Sequence, residues 1–314
     1  MNTLASKGEA FLFLFDFEMK NPLVYRIDEI NPDEIVFEIN GKRNFEYPEK
    51  NNAKLSFEKK PVLFEQYRAA FTQVMEHLNY GNSYLLNLTF PTLIETNFSL
   101  KDIFYKSVAK YKLLYKNQFV VFSPEIFIKI TDSKICSYPM KGTINASIRD
   151  SEHILLNNKK EIAEHATIVD LIRNDLNRFA KNVRVNKFRY IDRIKAHDKE
   201  ILQVSSEIMG DLPPDYKDQI GDILFSLLPA GSICGAPKKK TVEIIQEVEN
   251  YKRGYYTGVF GYFDGKNLDS GVMIRFIENT PEGLIYKSGG GITVNSRVEE
   301  EYQELMDKVY VPVI

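Results

Sequence analysis

The chain has 314 residues, 44% of them hydrophobic and 27% charged, enough to bury the core of one large domain or two ordinary ones. Its 41 basic and 43 acidic residues are interspersed and leave a formal charge of −2, so there is no basic face of the kind that gathers on nucleic-acid phosphates. Two cysteines, Cys136 and Cys234, make no disulfide framework, which suits a reducing compartment and makes the cytoplasm the expected location.

The first apolar run, "FLFLFDFEMK", is broken by Asp16 and Glu18, is too short to span a membrane and lacks a cleavage pattern, so it reads as a buried strand over Phe11 to Glu18. Strand spacing recurs over Glu34 to Asn40, Asn87 to Ile94, Asn117 to Ile130, Gly258 to Phe263, Leu268 to Glu278 and Leu284 to Ser288. Helical periodicity marks Leu63 to Asn79, Leu100 to Lys112, Glu161 to Ala180, Tyr216 to Leu228, Lys238 to Asn250 and Val298 to Val309. Strands thus dominate both ends and helices the middle. Without regular strand–helix alternation, the expected class is α+β with large antiparallel sheets. The polar stretches "NPDE" and "PEKNNAKLSFEKKP" (Pro48 to Pro61) are too short to mark a boundary, so the chain, 1–314, reads as a single domain.

Several positions carry chemistry. "YPMKGTINAS" reads as a turn opening on Pro139 in which Lys141 has no acidic residue within seven positions. Glu161 and Glu164 share a helix face, as do Glu301 and Glu304. Such pairs are either solvated faces or oxygen donors for a hard cation. For a metal, Mg2+ fits better than zinc, because "EIAEH" lacks the first histidine of an H-x-x-E-H motif and the histidines and cysteines are scattered. "LLPAGSICGAPKKKTVEIIQEVE" reads as a Gly231/Gly235 loop leading into a helix start that could favour an anion, though not a Walker loop. Gly289 to Gly291 follow a strand and allow either a tight turn or close backbone approach to a ligand. Arg275, inside the apolar "SGVMIRFIE", requires an anionic partner, either a carboxylate ligand or a structural ion pair.

In this order, "GNSYLLNLT", "SPEIF", "PMKGT", "EHATIVDLIRNDL", "PAGSICGAPKKK", "RGYYTGVFGY", "IR" at Ile274-Arg275 and "GGGITVNS…EEEYQELMDK" resemble the chorismate-utilising enzymes. These are anthranilate synthase component I, aminodeoxychorismate synthase component I, isochorismate synthase and salicylate synthase. The resemblance runs from Tyr67 to the C-terminus. It implies the chorismate-binding fold, two large, mainly antiparallel sheets sandwiched between helices. It implies Mg2+ held against a substrate carboxylate by Glu164, Glu301 and Glu304, with Glu161 close by. Gly142, Thr143, Tyr256, Arg275, Gly289, Gly290 and Gly291 would position chorismate, with Lys308 near the metal site. Glu125 would be the general acid that protonates the departing 4-hydroxyl.

The same resemblance points to a branch. Anthranilate, isochorismate and salicylate enzymes usually carry alanine before the Gly-Thr, whereas aminodeoxychorismate synthases typically carry lysine, as at Lys141. An amine there can add to C2 of chorismate as the 4-hydroxyl leaves, and ammonia then attacks C4 and expels it. Isochorismate and salicylate synthases use a lysine to activate water where this chain has Leu85. The expected activity is therefore aminodeoxychorismate synthase component I, retaining pyruvate and serving 4-aminobenzoate and folate synthesis. Anthranilate synthase and a non-catalytic chorismate-binding subunit are the alternatives. Leu85, Gln203, Cys234 and Asn295 depart from the residues usual in the family. No G-x-C-x-G nucleophile elbow is encoded, so a separate glutamine amidotransferase subunit is expected to supply ammonia. No "LLES" motif is seen, and feedback by tryptophan is not expected.

Overall fold

The computed structural model describes residues 1–49, 53–196 and 199–313. Two nine-stranded sheets, with antiparallel pairing throughout, lie face to face and are covered on their outer sides by helices.

The strand Phe11–Phe15 explains the arrangement. It pairs on one side with Val259–Phe263 and on the other with Leu23–Arg26. Phe11, Phe13 and Phe15 enter a core shared with the helices Lys159–Leu176 and Ile220–Leu227, while Leu12 and Leu14 enter the core between the two sheets. A strand buried on both faces needs a continuous apolar run, and each such side chain contributes about 1.5–3 kcal/mol. In the second sheet, Leu85–Thr96 pairs with Gly283–Ile292, and its outer face is covered by Phe64–Asn79, Lys238–Val248 and Val298–Asp307.

Two of the places where the chain passes from one sheet to the other matter for the site. The segment read as one strand over Asn117 to Ile130 is two: Phe119–Ser123 in the second sheet and Ile126–Thr131 in the first, separated by Pro124 and Glu125. The segment Leu268 to Glu278 likewise divides into Leu268–Val272 and Phe276–Thr280, where Arg275 takes a positive φ of 54°.

Other expectations are corrected. The helix expected to reach Lys112 ends at Lys106, and Tyr111–Tyr115 is a fully buried strand. The polar stretch after Pro48 contains an edge strand, Phe57–Lys60, while its residues 50–52 lie outside the described residues. The middle of the chain is not mainly helical, because Lys181–Ala196 and Lys199–Asp211 form a long hairpin. Gly231–Cys234 is a single helical turn and Gly235–Ala236 a short strand on Leu85 and Leu86, so the expected glycine loop is ordered by pairing. Among the described residues no helix is long and apolar enough to cross a membrane.

Candidate active site

A cavity of about 930 Å3 opens where the two sheet crossings meet the helices Lys159–Leu176 and Val298–Asp307. Its wall includes Glu125, Lys141, Gly142, Thr143, Glu161 and Glu164, with Tyr256, Arg275, Gly289, Gly291, Glu304 and Lys308 opposite or beside them. Positions scattered from 125 to 308 in sequence are thus gathered on one surface.

Lys141 does not stand in a turn. Met140–Asn145 is a strand on Lys199–Asp211, and the pairing slips between Lys141 and Thr143, where Gly142 takes a φ of +74°. Such a bulge re-aims the neighbouring side chain, and glycine adopts the left-handed conformation without the Cβ penalty. The Lys141 ammonium lies 3.4 Å from Oε2 of Glu164, a carboxylate that is 5% exposed. Behind Glu164, His165 is fully buried, its Nε2 hydrogen-bonded to the Ser206 hydroxyl at 2.6 Å. Burial, helped by the charges of Arg189 and Lys141, pushes that imidazole down to about 4. It is a neutral anchor between helix and hairpin.

The three glycines sit inside the strand Gly283–Ile292, not after it, which excludes the tight-turn reading. A Cβ on Gly291 would lie 3.2 Å from both the Lys141 ammonium and Cδ1 of Leu85, and 3.4 Å from Oε2 of Glu164. One on Gly290 would lie 3.4 Å from Oε1 of Glu304 and 3.5 Å from Oε2 of Glu301. The bare backbone therefore lets both carboxylate helices approach. Lys308 fastens the second helix to this strand, donating to Gly289 O at 2.8 Å and to Glu304 Oε1 at 2.6 Å.

Glu125 lies in the cavity wall, its Oε1 accepting from the Ser232 hydroxyl at 2.6 Å. Burial raises its carboxyl above the ordinary range, against the downward pull of the Ser232 hydrogen bond and of the Lys141 and Lys308 charges. A carboxyl so placed retains its proton to higher pH than a surface glutamate, the property a proton donor needs. Ser232 was hidden in the sequence. It lies 107 residues from Glu125, and only the one-turn helix at Gly231–Cys234 brings it there.

Arg275 makes no ion pair among the described residues. Its Nη1 donates to Lys308 O at 2.5 Å and its guanidinium stacks 4.5 Å from the Tyr310 ring centre. The structural ion-pair reading is thus not realised, and the guanidinium lines the cavity with donors suited to an anion. Tyr256 is buried beside it, its phenol pushed well above the ordinary range by burial.

Among the described residues no three acidic, histidine or cysteine side chains form a ready-made metal cage. Glu161, Glu164, Glu301 and Glu304 stand around the bulge and the glycine strand rather than in one cluster, with ammonium groups at Glu164 and Glu304. The donor set nonetheless suits Mg2+. It is all oxygen, and four carboxylates against two lysines leave excess negative charge.

Fold and site together define a protein of the chorismate-utilising architecture. The fold matches the menaquinone-specific isochorismate synthase of Escherichia coli, with a TM-score of 0.72 over 98% of this chain and 78% of that one at 14% identity. Residues 19–313 match the model of the chorismate binding enzyme family, and the chain belongs to that family. It is similar to a Haemophilus influenzae protein named "Uncharacterized PabA-like protein", 54% identical over 312 residues, which are 99% of this chain and 95% of that one. It is also similar to aminodeoxychorismate synthase component 1 of Escherichia coli, 33% identical over 265 residues, 78% of this chain and 56% of that one.

Proposed function

We propose that the chain is the synthase component of an aminodeoxychorismate synthase, converting chorismate and ammonia to 4-amino-4-deoxychorismate for 4-aminobenzoate and folate synthesis. One observation carries this reading: Lys141 and Leu85 flank the same point on Gly291, each 3.2 Å from where its Cβ would stand. An amine nucleophile is available at that point, and the residue beside it is aliphatic and cannot activate water.

In this reading Glu125, its carboxyl raised by burial, donates to the departing 4-hydroxyl. Lys141 adds to C2 as the ring double bonds shift. Arg275, Tyr256, Gly142, Thr143 and the Gly289 to Gly291 backbone orient the substrate. Mg2+, held by Glu164, Glu301 and Glu304 with Glu161 close by and Lys308 beside it, would neutralise a substrate carboxylate. Ammonia would come from a separate glutamine amidotransferase.

The test is a single incubation of chorismate, Mg2+ and ammonium salt with added aminodeoxychorismate lyase. 4-Aminobenzoate is the expected product, and fluorescent anthranilate formed without the lyase would overturn the assignment. Binding of chorismate without turnover would instead support a silent regulatory subunit. With the amidotransferase, glutamine-dependent turnover is expected only in the mixture, and full glutamine activity from the single chain would remove the partner.

A further inference from the structure

A second, smaller void lies against Glu125. It holds about 20 Å3, room for one molecule the size of water. It meets the main cavity at Glu125 and Ser232, the only described residues lining both. Its other walls are mostly apolar, among them Ile126, Phe127, Ile172, Leu176 and Leu227, with two polar groups, Ser137 and Asp175. Asp175 is held by Lys238 at 2.5 Å, and that same ammonium donates to Leu227 O at 2.7 Å, so the pair braces one side of the void.

We propose that this void is the ammonia subsite, from which the nucleophile enters the main cavity past Glu125. The inference rests on the amination reading above. Three observations point to it. The void has the size of ammonia, its apolar walls favour the neutral nucleophilic form over ammonium, and it adjoins the carboxyl that discharges the C4 hydroxyl. The proton ledger also closes. The C4–O bond breaks and the oxygen leaves as water with the Glu125 proton, while the C2–N bond to Lys141 forms. The ammonia lone pair then forms the C4–N bond, the C2–N bond breaks and its electrons return to the Lys141 amine. The new C4 ammonium gives one proton to the Glu125 carboxylate, which restores the acid for the next turnover.

The experiment varies ammonium chloride at fixed pH and ionic strength with saturating chorismate, and then varies chorismate. Ile172→Phe, which fills the void, should raise the KM for ammonium about tenfold and leave the KM for chorismate within about twofold. Ile172→Ala, which enlarges it, should leave the ammonium KM at or below that of the native chain. An unchanged ammonium KM in Ile172→Phe, or an equal rise in the chorismate KM, overturns the proposal. Should Ile172→Phe not fold, Ser137→Val fills the same space from the sheet side and is read the same way. Either aminated product from the native chain keeps ammonia as the varied substrate. Unaltered ammonium KM values in the filled variants then sink the subsite alone, whereas no ammonia dependence in the native chain sinks the amination reading and the subsite together.

Discussion

Glu249 and Glu164 are both buried carboxylates with a cationic partner, and their surroundings are opposite. Glu249 accepts two hydrogen bonds from Arg253, at 2.6 and 2.8 Å, and two from Thr89, one from its backbone N–H at 2.9 Å and one from its hydroxyl at 2.8 Å. Arg253, 1% exposed, also donates to the carbonyls of Asn87 and Ile233 and stacks on Phe17. Glu164 instead meets Lys141 at 3.4 Å on the wall of a large cavity. The first pair is closed on itself and ties the strand Leu85–Thr96 to the turn at Ile233 that carries Ser232. The second leaves an amine facing the space where a substrate would bind. In the same molecule, a buried ion pair away from the cavity marks structure, and one that lines the cavity marks chemistry.

Breaking the closed pair should have the largest effect. Arg253→Met strands Glu249 in the interior and should lower folding stability by about 3–5 kcal/mol, read as a lower urea midpoint with unchanged slope. Glu125→Gln should do the reverse, cutting turnover about 100-fold while the urea midpoint stays near native. Loss of folding rather than of rate in that variant would break the comparison.

A pH profile sharpens it. Glu125 is raised by burial, so its acid form persists above the ordinary carboxylate range and is lost as pH rises through the raised value. At constant free ammonia and saturating chorismate, turnover should fall along an alkaline limb that Glu125→Gln lacks. The smallest effect is expected from Gly291→Ala. Its methyl would press Lys141 and Leu85 by a few tenths of an ångström, and turnover should drop roughly three- to tenfold.

Much of the site was legible because its residues lie in short motifs. Glu125, Lys141, Glu164, Tyr256, Arg275, Gly289 and Gly291, read from the resemblance, all line one cavity, whereas Gly290 and Glu301 are not part of its wall. Their local settings were less legible. Lys141 looked like a turn residue because the glycine after it signals one, whereas that glycine forms a bulge in a paired strand. The hairpin Lys181–Ala196 with Lys199–Asp211 escaped notice because three register shifts displace its apolar residues, so no single alternation runs through it. Ser232 and the void behind Glu125 depend on contacts between distant segments that no local pattern records.

The central claim is that the open lysine carries the reaction, and Lys141→Ala tests it most directly. With chorismate, Mg2+ and ammonium salt, and lyase added to report the product, the native chain should yield 4-aminobenzoate and the variant at least ~100-fold less, at native stability. Near-native formation of 4-aminobenzoate by Lys141→Ala would contradict the account.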